Sequence, residues 1–347
     1  MATLTQTAIV TRKMVRYGVY LIIFLILGKI AFGILVGVVN KIFPKAPPPP
    51  TIAFGKLPKL PFVEKRDLPV LTYKIETPEG SLPQLPSQAK VYFMPQARAD
   101  LLAFDKAKQI ADDLGFPILA KQINDSLYQF SDGGNTMLEM NIVNKTFSLA
   151  YNLNSDPSPI NFRPPSAELA GSEVKSFLSS ANILPDDLSG PVTQEYLKVQ
   201  NKQLVTAISL SEANFVKINL FRRDYDKLPS VTANPNQANV WFIVSGDTDR
   251  GKQIVGAQYF YFPVDETQVA TYPIKKSSEA FSDLQAGKGF IANLGQNPTG
   301  KITIRRVYLA YYDSNVATTF YQPVVVFEGD NGFVAYVPAV TNSYYSE

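Results

Sequence analysis

The sequence predicts an α+β protein: a single N-terminal transmembrane helix, a proline-rich stalk, and then antiparallel sheets each packed with a helix. Three observations carry this reading. Residues 17–39, YGVYLIIFLILGKIAFGILVGVV, are apolar almost throughout; prolines crowd residues 40–86; and beyond them short alternating segments, broken by Asp, Asn and Gly turns, follow stretches of helical spacing. The expected organisation is a cytoplasmic tail (1–16), the span (17–39), a linker (40–86), a first α+β domain (87–160) and a second (161–347).

At 1.5 Å per residue the span makes a helix of about 35 Å, enough for a hydrocarbon core of about 30 Å. A secretory signal would be shorter and end at a small-residue cleavage site, whereas this run ends in Asn40-Lys41 and prolines, so it reads as an uncleaved anchor. Arg12, Lys13 and Arg16, with no acid before them, place the tail in the cytoplasm by the positive-inside rule. Lys41, Lys45, Lys56 and Lys59 make the far flank basic as well, but large following domains translocate with little regard to charge. The expected location is therefore the cell membrane, with the C-terminal domains extracytoplasmic.

Lys29 lies near the middle of the span, where a charge costs about 2.5–3.5 kcal/mol on insertion scales. Either its stem snorkels to the interface or its ammonium meets an acid on a partner helix. Gly28 lies beside it, and Gly33 and Gly37 have the small-xxx-small spacing that lets two helices approach closely. These four residues are the candidate intramembrane contacts.

Composition excludes more than it assigns. The net charge of +3 gives no electrostatic case for nucleic acid. The absence of cysteine and histidine removes disulfides, thiol catalysis, zinc sites of the usual kind and imidazole acid–base schemes. An enzyme would have to use paired carboxylates or a Ser/Lys pair, and no motif marks either. No catalytic, cofactor or metal residue is assigned.

In the linker, Pro47–Pro50 and the prolines at 58, 61, 69, 78, 83 and 86 favour polyproline II and a semi-rigid stalk. Within it, Leu68–Glu76 alternates as a strand that joins the folded part, so a fragment starting near Leu68 is expected to keep the cores. Next come a strand at Lys90–Met94 and a helix from about Ala97 to Leu114, with Leu101, Phe104, Ala107, Ala111 and Leu114 on one side and Gly115 as its stop. A meander over residues 126–153 turns at Asp132-Gly133-Gly134 and at Asn144-Lys145. After the break at Asp156–Pro159 the plan repeats in pattern: Ser166 caps a helix to about Ala181, buried through Leu169, Val174, Phe177 and Leu178. Strands follow at residues 194–200, 204–210, 215–221, 239–245 and 254–262. Ser277 then caps a short helix with Ala280, Phe281 and Leu284 inward and Gly287 as stop. The last strands include a hairpin turn at Gly329–Gly332.

Three further groups bear on function. Asp247-Thr248-Asp249 lacks the later glutamate of a calcium loop and reads as a hairpin turn. Arg222-Arg223 and Arg305-Arg306 sit on predicted strands, where alternation leaves one of each pair outward; together they are the candidate contacts for an anionic polymer. The 18 tyrosines and 22 phenylalanines are expected mainly in cores and cross-strand pairs.

The run YPI...S.EAF..L..GKG at Tyr272–Gly289, with Tyr272, Pro273, Ala280, Phe281, Leu284 and Gly287, is followed by a strand at Ile304–Tyr312. Next come YQPVVVFEG, carrying Tyr321, Pro323, Phe327 and Gly329, and FVAYVPAV. In these motifs and in its layout of basic tail, single span and β-rich domains, the chain resembles the YycH/YycI-type extracytoplasmic regulatory proteins and, more loosely, the PepSY-like domains. The long proline stretch departs from that pattern. The resemblance implies a non-enzymatic regulator or scaffold of the cell envelope, one that modulates a sensor kinase or another envelope protein through protein contacts. The alternative is a peptide- or glycan-binding module presented on a stalk.

Overall fold

The computed structural model describes residues 4–42, 48–63 and 68–346, with side chains from residue 12 to residue 36 within the first stretch. The chain divides into two units, Met1–Pro49 and Pro50–Glu347. The first holds a helix, α1 (Leu4–Ile42), that contains the expected span and runs past it at both ends. Within its stretch Arg12–Val36 an 18-residue window has a mean hydropathy of 2.6 and no buried residue, so by length and composition α1 can cross a membrane. Gly28, Lys29, Gly33 and Gly37 all belong to it, and nothing lies within 4 Å of where a Cβ would stand on Gly28 or Gly33. The contact surface at Gly37 lies outside the described residues, as do the side chains of Lys41 and Lys45.

The second unit is α+β. Its first strands are β1 (Thr72–Ile75) and β2 (Gln88–Phe93). Next come α2 (Ala103–Asp113), β3 (Ile118–Gln122), β4 (Leu127–Ser131), β5 (Thr136–Asn141) and β6 (Phe147–Tyr151). A second helix, α3 (Ala167–Ser180), precedes β7 (Val192–Gln200), β8 (Gln203–Thr206), β9 (Phe215–Leu220), β10 (Ser230–Thr232) and β11 (Val240–Val244). The short α4 (Arg250–Gln253) leads into β12 (Ile254–Tyr259). The C-terminal part holds β13 (Asp265–Pro273), α5 (Ser277–Gln285), β14 (Phe290–Asn293), β15 (Lys301–Asp313), β16 (Phe320–Tyr321), β17 (Pro323–Gly329) and β18 (Val334–Pro338).

The repeated plan is present, but not as two domains divided at residue 160. Strands β3–β6 form one meander, and β12-β11-β9-β7-β8 form another. The two join edge to edge through the antiparallel pair β6–β12, in which Leu149 faces Ala257, to make one nine-stranded sheet. Both helices share one core against this sheet: Ala103, Ala107 and Ala111 of α2 and Ala170, Val174 and Leu178 of α3 pack with Phe130, Leu138, Leu149, Phe242 and Val244, while Tyr151, Leu197, Phe215, Ile243 and Val255 form a smaller cluster of their own. Burying a side chain of Leu or Phe size contributes about 1.5–3 kcal/mol, which is why the helices settle on this face. Two of the expected inward positions shift, by two residues in α2 and by one in α3. Leu101 and Leu169 are exposed, and the smaller Ala103 and Ala170 take the core positions. α2 starts only at Ala103 because Asp100 Oδ1 accepts the Leu102 N–H at 2.9 Å and closes the preceding turn.

The rest of the unit is a six-stranded sheet, β1-β15-β17-β18-β14 with β10 also on β15, beside a three-stranded sheet, β13-β2-β16. Ala280 and Leu284 of α5 pack on them. The first helical residue of α5 is Ser277 rather than its cap: Glu279 accepts the Lys276 N–H at 3.2 Å, and the Ser277 hydroxyl donates to Pro83 O.

Residues 50–63 and 68–86 are not a free stalk. Leu57 is fully buried, its N–H donating to Tyr344 O and its carbonyl accepting from Ser346 N, each at 2.8 Å. Phe62 stacks on Phe290 with ring centres 5.1 Å apart, and β1 pairs parallel with β15, Thr72 opposite Lys301. Prolines need no backbone donor partner, so a proline-rich strap can lie along a sheet and contribute its apolar side chains and carbonyls. The linker positions 43–47 and 64–67 lie outside the described residues.

Candidate functional site

Where the two halves of the nine-stranded sheet meet, a cleft of about 650 Å³ opens between the ends of α2 and α3 and the turn before β12. Its floor is apolar: Leu114, Phe116 and Leu149 are buried there, beside Phe177 and Ile254. Its walls carry Asp113, Asp132, Glu173 and Arg250. Local geometry explains each wall. The Asp132-Gly133-Gly134 turn folds because Asp132 Oδ1 accepts the Gly134 N–H at 2.7 Å, which fixes that carboxylate. Asp249 accepts the Gly251 N–H at 3.1 Å and starts α4, which presents Arg250. Asp247 and Asp249 therefore form a turn, as the sequence predicts. Desolvation by the surrounding protein pushes the Glu173 carboxyl above its ordinary value, with no basic neighbour to offset it.

A second hollow of about 360 Å³ shares Gly115, Asp132 and Gly251 with the first and reaches Tyr151 and Lys252. Here the structure holds a Ser/Lys pair that sequence spacing could not reveal, with Lys252 Nζ 2.9 Å from Ser158 Oγ. Lys252 also pairs with Asp156 at 2.8 Å, and Asp156 accepts the Tyr151 hydroxyl at 2.7 Å. The hydrogen bond with Asp156 raises the Lys252 pKa, and that with Lys252 holds Asp156 well below the carboxylate range. A serine is activated by a neutral amine, so this lysine, kept protonated, is not poised as its base.

The four arginines expected to contact an anion are each taken up by the protein's own carboxylates. Arg222 is buried: Nε donates to Asp313 Oδ1 at 2.9 Å, Nη1 to Asp187 and Nη2 to Phe262 O, with the guanidinium 4.4 Å from the Tyr261 ring centre. Burial opposes its charge, and Asp313 and Asp187 outweigh burial, so its pKa rises. Arg223 pairs with Glu266, Arg305 with Glu76 and Asp330, and Arg306 with Glu328. The first pair does not lie on a strand: β9 ends at Leu220, and Arg222 is buried and Arg223 turned outward in the segment that follows. At the second pair, on β15, alternation fails and both are exposed because the β15–β17 register slips between Ile304 and Arg306. These residues are ion pairs and do not form a basic groove.

The motif residues behind the family resemblance are packing and turn positions. Tyr272 is buried and its hydroxyl donates to Gly55 O at 2.9 Å; Tyr321 donates to Ser230 Oγ at 2.7 Å. Ala280, Leu284 and Phe327 are core, Phe281 lies 6.1 Å from the Phe327 ring, and Pro273 and Pro323 sit on β13 and β17. Gly287 has φ +73°, and a Cβ at Gly329 would stand 2.6 Å from Thr303 O.

No family model matches the chain, and no curated protein matches it. Among solved structures, an uncharacterized protein from Eubacterium rectale is similar at 13% identity and a TM-score of 0.39, covering 76% of this chain and 86% of that one. That likeness is too low to carry a function across.

Proposed function

We propose that the chain is a single-pass membrane protein, its N-terminus cytoplasmic and its α+β unit extracytoplasmic, which regulates or scaffolds an envelope process through protein contacts. The observation that carries this reading is α1: the 18-residue apolar window in its stretch Arg12–Val36 has no buried residue, and it precedes a folded unit with its own cores. The resemblance to YycH/YycI-type proteins agrees with this layout and names a sensor kinase as one class of partner. Gly28, Gly33 and Lys29 supply the small and polar positions through which such a span makes specific contacts, each worth about 0.6–2 kcal/mol.

The test has two arms. Protease added to intact spheroplasts should digest the α+β unit and spare α1; protection of that unit overturns the topology. Crosslinking in membranes should then capture a partner that Gly33→Leu with Lys29→Leu loses while the protein still inserts. Retention of the same partner after the whole span is exchanged for an unrelated apolar helix overturns a role for the span beyond tethering.

A further inference from the structure

The seam cleft carries two charges that the fold does not use. Glu173 and Arg250 both line it, and neither forms an ion pair or hydrogen bond with another described residue, or with each other. The other two carboxylates of the lining are engaged, Asp113 by Gln109 Nε2 at 2.9 Å and Asp132 by the Gly134 and Thr136 N–H groups. Arg222, Arg223, Arg305 and Arg306, by contrast, all have carboxylate partners.

A ligand with only a negative charge would satisfy Arg250 but would face three carboxylates. One with only a positive charge would leave the guanidinium unanswered. A molecule bearing both satisfies Glu173 and Arg250 together, and the buried Leu114, Phe116 and Leu149 below them offer an apolar floor. The cleft volume of about 650 Å³ lies within the range of small-molecule sites, which pair an apolar lining with a few placed polar groups. Glu173 is exposed on its wall, so its carboxyl is open to an incoming cation.

We propose that this cleft binds a small zwitterion with an apolar body, an amino acid or a short peptide with free ends, its carboxylate on Arg250 and its ammonium on Glu173. The site belongs to the α+β unit alone and holds whether or not the chain regulates a membrane partner.

The test uses the full chain in detergent micelles and calorimetric titration with leucyl-phenylalanine, its N-acetyl form and its C-terminal amide, each corrected against empty micelles. The free dipeptide should bind about tenfold more tightly than either blocked form, since each blocked end loses one charge-assisted contact. Glu173→Gln should abolish the preference over the N-acetyl form and keep that over the amide, and Arg250→Gln should do the reverse. Neither side chain has a partner in the fold, so both variants should melt at or above the wild-type temperature. Equal binding of the three forms, preferences that survive both substitutions, or no binding of the free dipeptide at millimolar concentration overturns the proposal.

Discussion

Replacing Arg222 with methionine should be among the most damaging single changes in the α+β unit. The guanidinium side chain is 1% exposed and bridges Asp187, in the loop between α3 and β7, to Asp313 at the end of β15. It thereby ties the nine-stranded sheet to the six-stranded one, inside a cluster of Tyr92, Tyr225, Tyr311 and Tyr321. Methionine fills much of the space but leaves two carboxylates, 10% and 9% exposed, without a counter-charge. Breaking a buried pair in this way costs about 3–5 kcal/mol, a large part of the total of about 5–15 kcal/mol expected of a folded domain. With a urea slope of about 3 kcal/mol per molar, the midpoint should fall by about 1–1.7 M. Trp241 is the only tryptophan and sits on β11 with Lys217 Nζ 4.6 Å from its ring, so its fluorescence reports the nine-stranded sheet. The triple variant Arg222→Met, Asp187→Asn, Asp313→Asn removes the uncompensated charges and should recover most of the loss. A single variant within about 1 kcal/mol of wild type, or a triple as unstable as the single, would refute the reasoning.

Two further predictions concern the strap and the second hollow. A fragment beginning at Pro50 should be soluble and unfold cooperatively, whereas one beginning at Leu68 loses Leu57 and Phe62 from the cores, at about 1.5–3 kcal/mol each, and should aggregate or melt far lower; equal melting temperatures would show that the strap is dispensable. The Asp156–Lys252 pair should stabilise the fold fully only between the two unfolded-state pKa values, about 3.9 and about 10.4. Asp156, with its folded pKa lowered, loses its contribution as pH falls below that window, and Lys252, with its pKa raised, loses its own as pH rises above it. Asp156→Asn should therefore lower the melting temperature at pH 7 and lower it less as pH falls towards 2, and a loss of equal size at both pH values would contradict the assignment.

Much of the α+β framework was legible because its elements announce themselves locally. The span, the Ser166 cap, whose Oγ accepts the Leu169 N–H, and the turn at Lys145 with φ +64° all follow from residues within a few positions of each other. What escaped depends on distant partners. β3, Ile118–Gln122, is exposed along its whole length and shows no buried alternation, so only its pairing with β4 makes it a strand. The strap at residues 50–62 reads as stalk because prolines dominate its local preferences, and only Tyr344 and Phe290, far along the chain, reveal that Leu57 and Phe62 are core.

The seam cleft was illegible for a related reason, and that reason bears on what the fold does. Its lining comes from the end of α2, the β4–β5 turn, β6, α3 and the α4–β12 junction, segments drawn from both halves of the repeated plan. Neither half would close it alone. Joining two helix-plus-meander units through β6 and β12 places α2 and α3 side by side on one core, and the space they leave at their ends becomes a cavity with Glu173 and Arg250 on its walls. The repeated plan therefore yields more than a larger core: it makes a cleft that depends on how β6 pairs with β12. A charge introduced at Ala257, which is buried opposite Leu149, should disturb the cleft and the core together, while Glu173→Gln and Arg250→Gln should alter the cleft with the core intact.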